Sequence, residues 1–156
     1  MSDVNEKLSG LKTILTKAQS FCAYQDRCSA EVIQKLRDWG IDEARIPKII
    51  ASLTEDKFLN DRRYAETFVS SKFRLKHWGR NKIAYELRGK KIPSGLISDA
   101  LEAIDEEEYA TTLKSLIAKK SKEVKDSDPF RKKQKVARFL LSKGFESELV
   151  FANLKS

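Results

Sequence analysis

The chain of 156 residues contains few of the side chains that build metal centres and covalent catalytic sites. Its two cysteines, Cys22 and Cys28, lack the second cysteine pair or the histidine cluster that would complete a metal site. Two thiols in this pattern indicate a reducing compartment. The single histidine, His77, has no serine, cysteine or carboxylate at the spacing of a nucleophile and its base. We therefore expect no catalytic residue, no metal and no cofactor, and predict that the protein is not an enzyme.

Glycine and long apolar runs are also scarce. The six glycines form no phosphate-binding loop, which argues against nucleotide hydrolysis and dinucleotide binding. No apolar run reaches the roughly 20 residues that cross a bilayer, and no apolar signal-peptide core follows Met1. We expect a cytoplasmic protein without membrane contact. No segment alternates apolar and polar residues over a useful length, so the sequence predicts no β-sheet.

What the chain does contain is one apolar pattern that occurs three times. Five apolar positions keep their spacing when the chain is shifted by 51 residues and then by a further 53. The three sets are Val32, Leu36, Ile41, Ile46 and Ile50; Ile83, Leu87, Ile92, Ile97 and Leu101; and Val136, Leu140, Phe145, Val150 and Leu154. A repeat of this length predicts a stacked helical array, because one unit cannot bury its apolar face without a neighbour. Such arrays usually bind large partners over an extended surface.

Polar residues mark where the helices of these repeats begin. Ser29, then Asn60 or Asp61, and then Asp128 each precede an apolar helical stripe. Side-chain oxygens at such positions accept a hydrogen bond from an unpaired N–H of the first helical turn. The polar stretch 119–127 is predicted to be the flexible point of the chain.

The net charge of +8 is concentrated in two segments. Residues 60–92 contain ten basic and three acidic residues, and residues 118–143 contain the same numbers, so each segment carries a net charge of +7. Residues 98–108 contain six acidic residues and no basic one. Concentrated positive charge accelerates association with polyanions and acidic protein grooves, and it is typical of nucleic-acid or nucleoprotein binders. The alternative is that these side chains only solvate the outward faces of helices.

The centre of the chain carries a motif that closely resembles the central repeat of the RecX family of recombinase regulators. In that motif an acidic and aromatic helix entrance, a glycine break and an Ile-Leu helix stand at fixed distances. The residues are Phe58-Leu59-Asn60-Asp61-Arg62-Arg63-Tyr64-Ala65, Phe68-Val69, Trp78-Gly79-Arg80-Asn81-Lys82-Ile83 and Glu86-Leu87. The segments 29–53 and 135–154 resemble the first and third repeats of the family. Lys91 stands where these flanking repeats have Gly40 and Gly144.

The resemblance implies an all-α fold, a tandem array of three three-helix repeats that forms an elongated, curved molecule. The repeats would occupy residues 1–56, 57–105 and 106–156. It further implies a monomeric regulatory protein that binds RecA or the RecA–single-stranded DNA filament. Such a protein would modulate, mainly by inhibition, the recombinase, ATPase and coprotease activities of RecA in homologous recombination, DNA repair and the SOS response. Whether it also touches single- or double-stranded DNA directly is left open.

The basic residues of the two positive segments are the predicted partner- and DNA-binding residues. The first segment supplies Arg62, Arg63, Lys72, Arg74, Lys76, Arg80, Lys82, Arg88, Lys90 and Lys91, and the second supplies Lys132, Lys133 and Arg138. Trp78 lies inside the first segment. A tryptophan before a glycine at a helix break is more often a packing residue than a base-stacking platform, and both interpretations stay open.

Two other functions fit the same charge pattern. A freestanding helical DNA-binding module would need only the basic segments, and it would bind DNA tightly without RecA, with a steep dependence on salt. A helical adaptor for another acidic partner is the third hypothesis. A pull-down from nuclease-treated extract would identify such a partner.

Overall fold

The computed structural model describes the backbone of residues 2–155 and the side chains of residues 10–155. Within this range the chain contains helices and no strand, so the all-α prediction is confirmed. The α-helices are α1 (Ser2–Tyr24), α2 (Ser29–Asp38), α3 (Ile46–Glu55), α4 (Asp61–Lys76), α5 (Arg80–Gly89), α6 (Ser94–Glu102), α7 (Glu106–Glu123), α8 (Pro129–Ser142) and α9 (Ser147–Leu154). A 3-10 turn, Glu43–Arg45, leads into α3.

The predicted capping residues explain several helix starts. The side-chain oxygen of Asn60 accepts the N–H of Arg63 at 3.0 Å where α4 begins. At the start of α8, the Asp128 carboxylate accepts the N–H of Phe130 at 3.0 Å, and Pro129 occupies the first turn. Both caps pair a helical N–H that has no partner within its own helix.

The cap of α2 differs from the prediction by one residue. Cys28, not Ser29, is the N-cap, because the Glu31 carboxylate accepts the backbone N–H of Cys28 at 3.2 Å and its thiol at 3.3 Å. The N–H of Ser29 instead donates to the Asp61 carboxylate at 2.8 Å. Burial, as the main cause, raises the pKa of the Cys28 thiol to about 11. Cys28 is therefore a packing and capping residue with little thiolate character at neutral pH.

The predicted flexible stretch 119–127 is partly helical. Helix α7 continues to Glu123, so the connection to α8 is shorter than the sequence suggested. Lysine and glutamate are good helix formers, because their unbranched side chains lose little rotamer freedom in a helix. The prediction of flexibility over residues 119–123 was wrong for this reason.

The chain divides into two compact units. The first comprises residues 1–64 and 90–92, and the second comprises residues 65–89 and 93–156. The limits predicted for the three repeats, whose outermost residues Met1 and Ser156 lie outside the described range, stay predictions.

The first compact unit has a core built from α1, α2 and α3, each of which packs against the other two. Its buried members are Ala18, Cys22, Val32, Leu36, Ile46, Ile49, Leu53 and Leu59. Trp39 is half-buried against this core, and the Lys17 ammonium lies 4.6 Å from its ring centre. Trp39 is therefore a packing residue.

The second compact unit is held by the pairs α5–α6, α7–α8, α8–α9 and α7–α9. Its fully buried large side chains include Tyr109 and Phe145, whose ring centres lie 5.3 Å apart. Phe73 stacks on the Tyr109 ring, with 5.6 Å between the two ring centres. Burial of each large apolar side chain contributes roughly 1.5–3 kcal/mol to folding.

The repeated apolar pattern corresponds to buried positions in all three copies. Eleven of the fifteen repeated residues are buried, and the other four, Ile41, Ile50, Leu101 and Leu154, are half-buried. The spacing found in the sequence therefore reports core packing.

Each repeat has one residue with left-handed backbone at the same point of the pattern. The φ angles are +76° at Gly40, +60° at Lys91 and +98° at Gly144. The turn before Ile92 thus keeps its left-handed geometry with a lysine in place of glycine. A side chain in this conformation costs roughly 1–2 kcal/mol relative to glycine.

We expect Lys91→Gly to raise the free energy of unfolding by about 0.5–1 kcal/mol, since it removes this strain while adding some freedom to the unfolded chain. Gly40→Ala should lower it by about 1 kcal/mol, because a β-carbon there meets no atom within 4 Å and only the backbone angle opposes it. Urea unfolding followed by circular dichroism measures both changes. Equal signs for the two variants would contradict the shared turn geometry.

Candidate functional site

The second compact unit gathers lysines around Trp78. The Lys82 ammonium lies 4.4 Å and the Lys72 ammonium 4.9 Å from its ring centre. Both distances lie within the range of cation–π attraction. The indole is half-buried and meets the ring of Phe68 edge-on, with 6.4 Å between ring centres. Trp78 therefore positions two lysine side chains from different helices, α4 and α5.

Lys143 joins this group from the end of α8. Its ammonium donates to the backbone carbonyl of Lys76 at 2.9 Å. Burial lowers the pKa of Lys143 below its ordinary value, and repulsion from the Lys82 and Lys76 ammonium groups lowers it further. Lys72, Lys76, Lys82 and Lys143, named here the lysine cluster, therefore form one region of positive potential.

A cavity of about 220 Å³ adjoins the lysine cluster at Lys143. It is lined by His77, Leu116, Lys119, Lys120, Glu123, Phe139 and Lys143. The Lys120 ammonium lies 4.3 Å from the Phe139 ring centre and 3.7 Å from the Glu123 carboxylate. Lys119 is exposed at its rim. The positive region thus continues from α4 and α5 onto α7 and α8.

Two glycines set the geometry beneath the lysine cluster. The backbone N–H of Gly79 donates to the Lys143 carbonyl at 2.8 Å, and the N–H of Asn81 donates to the Gly144 carbonyl at 2.9 Å. The first residues of α5 therefore lie directly against the turn between α8 and α9. A β-carbon on Gly144 would fall 2.4 Å from the Lys82 β-carbon, so only glycine permits this approach.

Arg80 is the first residue of α5, and two carboxylates of the same chain neutralise its charge. Its guanidinium donates to Glu146 at 2.7 Å and to Glu106 at 2.8 Å, and it lies 3.8 Å from the Tyr109 ring centre. Its side chain is only 20% exposed. The Tyr109 hydroxyl donates to Glu146 and accepts the backbone N–H of Arg80. Burial and the Glu146 charge raise the pKa of Tyr109 above its ordinary value.

The remaining predicted basic residues of the second compact unit lie on helix surfaces. Arg74 is exposed and lies 3.6 Å from the Glu108 carboxylate. Arg88 is exposed in the last turn of α5. On α8, Lys133 and Arg138 are exposed and Lys132 is half-buried.

The first compact unit contains the other four predicted residues. Arg62 and Arg63 occupy exposed positions in the first turn of α4. The ammonium of half-buried Lys90 lies 5.9 Å from the Tyr64 ring centre, and Lys91 is exposed. The assignment of these residues to a partner surface stays a prediction.

Sequence reasoning found Lys72, Lys76 and Lys82 but omitted Lys143, Lys119 and Lys120. Lys143 contacts a residue 67 positions earlier in the chain, which no local pattern reveals. The charge pattern of the sequence could nevertheless have indicated them, because all three omitted lysines lie in the positive segment 118–143. Lys143 also immediately precedes the repeated turn glycine.

The structure also bears on metal and membrane sites. Among the residues it describes, no three or more histidine, cysteine, aspartate or glutamate side chains are placed to hold a metal ion. Helices long and apolar enough to span a bilayer are likewise absent from the described residues.

Three family models match consecutive segments of the chain. The RecX first, second and third three-helix domains match residues 15–53, 60–101 and 106–152. The regulatory protein RecX of Acinetobacter baylyi is 30% identical over 144 residues, which cover 92% of this chain and 87% of that protein. The chain belongs to the RecX family. The prediction of three three-helix repeats is confirmed.

Further RecX proteins show the extent of the similarity. The regulatory protein RecX of Clostridium perfringens is 40% identical over 118 residues, 74% of this chain and 55% of that protein. The chain spans 55–59% of the length of the C. perfringens and C. tetani relatives. The crystal structure of RecX from Lactobacillus salivarius superimposes with a TM-score of 0.87 and 26% identity, covering 95% of this chain and 96% of that one.

Proposed function

We propose that this protein binds RecA or the RecA–single-stranded DNA filament and lowers its recombinase, ATPase and coprotease activities. Membership of a family whose members are named regulatory proteins supports a regulatory role, and such a role needs no catalytic residue. The proposal places the protein, as a monomer, in the cytoplasm with its DNA-bound partner.

The lysine cluster is the observation that carries this proposal. Lys72 and Lys82 share the Trp78 ring, and the Lys143 ammonium donates to the backbone carbonyl of Lys76. Burial lowers the pKa of Lys143, and repulsion from the Lys82 and Lys76 ammonium groups lowers it further, so the region repels cations and attracts extended anions. A DNA-bound filament presents phosphates and acidic side chains at many equivalent places. Repeated modest contacts along such a polymer give avidity without a deep pocket.

The contacts divide the thirteen predicted residues into different roles. Lys72, Lys76 and Lys82 belong to the lysine cluster and are proposed as partner-binding residues together with Lys143. Arg80 is proposed as a structural residue, since its two carboxylate partners already neutralise it.

Lys82→Glu should raise the concentration that half-inhibits RecA ATP hydrolysis on single-stranded DNA by about tenfold or more, because it reverses a charge at the centre of the lysine cluster. The matched control is Lys114→Glu, which makes the same charge change at an exposed position of α7 outside the cluster. Its expected effect is less than about threefold. Helical circular dichroism should be unchanged in both variants. Equal inhibition by the two variants would argue against the lysine cluster as the binding region.

A freestanding DNA-binding module stays the alternative function, since the same lysine cluster would neutralise phosphates without RecA. It predicts that the logarithm of the DNA association constant falls steeply and linearly with the logarithm of salt concentration. Tight DNA binding with no effect on RecA ATP hydrolysis would favour this alternative.

A further inference from the structure

Tyr85 is an exposed aromatic residue that the proposed contact with RecA does not use. It lies on α5, one turn after Lys82, and it is 69% exposed. In the part of the chain that the structure describes, no lysine or arginine cation lies over the Tyr85 ring and no other aromatic ring contacts it. Its ring is therefore available to a ligand.

Helix geometry places Tyr85 in a polar and positive stripe. Asn81, Tyr85 and Arg88 occupy positions i, i+4 and i+7 of α5, so they share one face, and all three are exposed. Lys82 borders this face at the end that adjoins the lysine cluster. The aromatic ring is thus flanked by an amide and by cations along its own helix.

This setting favours a nucleic acid over a protein as the occupant. The centre of a protein interface is depleted of charge and combines aromatic residues with apolar neighbours. Surfaces that bind single-stranded nucleic acid instead alternate aromatic rings, which stack on bases, with cations that contact the backbone. The stripe on α5 has the second composition.

Trp78 is less suited than Tyr85 to stacking on a base, although its ring system is larger. Two ammonium groups, those of Lys72 and Lys82, already lie within 5 Å of its ring centre, and the indole is half-buried. A base would have to displace at least one of them. Tyr85 offers an open ring on the same helix as Lys82.

We propose that Tyr85 stacks on a base of single-stranded nucleic acid, with Arg88 and Lys82 contacting the neighbouring phosphates. This inference goes beyond the regulation of RecA, because it requires no recombinase and concerns bases that the protein itself would contact. A regulator that touched only the protein part of a filament would lack this property.

The test compares two labelled oligonucleotides of equal length, one of thymidine and one abasic, by fluorescence anisotropy at low salt without RecA. The full chain should bind the thymidine oligonucleotide at least about fivefold more tightly, since both ligands carry phosphates but only one carries bases. Tyr85→Ala should abolish this difference and leave binding of the abasic oligonucleotide unchanged. Tyr85→Phe should preserve the difference, because it keeps the ring.

Tyr24→Ala is the matched control, since Tyr24 is 83% exposed at the end of α1. It should leave the preference for bases intact. Equal binding of both oligonucleotides by the unaltered chain, no binding of either, or an unchanged preference in Tyr85→Ala would each overturn the inference. Because this assay lacks RecA, its failure is separate from any failure of the proposed regulatory function. An effect of Tyr85→Ala confined to RecA binding would instead identify a protein-docking residue.

Discussion

Gly79→Ala is expected to lower the free energy of unfolding by at least about 3 kcal/mol. A β-carbon at residue 79 would lie 2.4 Å from the carbonyl carbon of Gly144 and 2.4 Å from the amide nitrogen of Phe145. Both are backbone atoms, so no side chain can rotate away. The start of α5 would have to move from the turn between α8 and α9, breaking two backbone hydrogen bonds. Thermal unfolding followed by circular dichroism should show a midpoint about 6–12 °C lower.

The control for this variant is Gly95→Ala in α6. A β-carbon at residue 95 meets no atom within 4 Å, and alanine favours the helix, so its stability should be unchanged or up to about 1 kcal/mol higher. Gly144→Ala should resemble Gly79→Ala, since it meets Lys82 and also has a φ of +98°. If Gly79→Ala proved as stable as the unaltered chain, the close approach of the two segments would be refuted.

The second large effect is expected at Arg80. Arg80→Glu would place a third carboxylate beside Glu106 and Glu146 and leave both without their cation. Removing one partner from a largely buried ion pair costs about 3–5 kcal/mol, and the new repulsion acts in the same direction. Glu106 is exposed, so its own pair with Arg80 contributes little, and we take the low end of this range. Chemical unfolding should therefore show a stability loss of about 3 kcal/mol or more.

Arg74→Glu provides the same charge change in an exposed pair. Arg74 lies 3.6 Å from Glu108, and its side chain is 65% exposed, so the loss should be less than about 1 kcal/mol. If the two variants lost equal stability, Arg80 would not be the structural residue proposed above. A folded Arg80→Glu variant that had lost RecA inhibition would restore Arg80 to the partner surface.

The sequence predicted those parts of the fold that depend on spacing along the chain. Apolar positions of the three repeats are buried or half-buried, because a helical stripe repeated at a fixed distance must meet equivalent neighbours. The turn glycines Gly40 and Gly144 also mark real left-handed turns. Lys91 shows the limit of this reasoning, since the packing around the turn imposes the same backbone on a residue that disfavours it.

The candidate site was less predictable, because it depends on which charges meet in space. Arg80 and Lys82 look alike in the sequence, yet one is neutralised by Glu106 and Glu146 while the other lies over Trp78. Lys143 enters the lysine cluster through a contact with Lys76, which is far away in the chain. The sequence composition located the positive segments. Only the tertiary contacts show which of their charges are neutralised within the chain and which can bind a partner.

Binding to the RecA filament through the lysine cluster can be measured directly. RecA filaments assembled on single-stranded DNA can be sedimented with the unaltered protein and with the double variant Lys82→Glu/Lys143→Glu. The unaltered protein should sediment with the filaments to a saturable level, and the double variant should bind at least about tenfold more weakly while keeping its helical circular dichroism. An unaltered protein that stayed in the supernatant, or a double variant that bound equally well, would contradict the account.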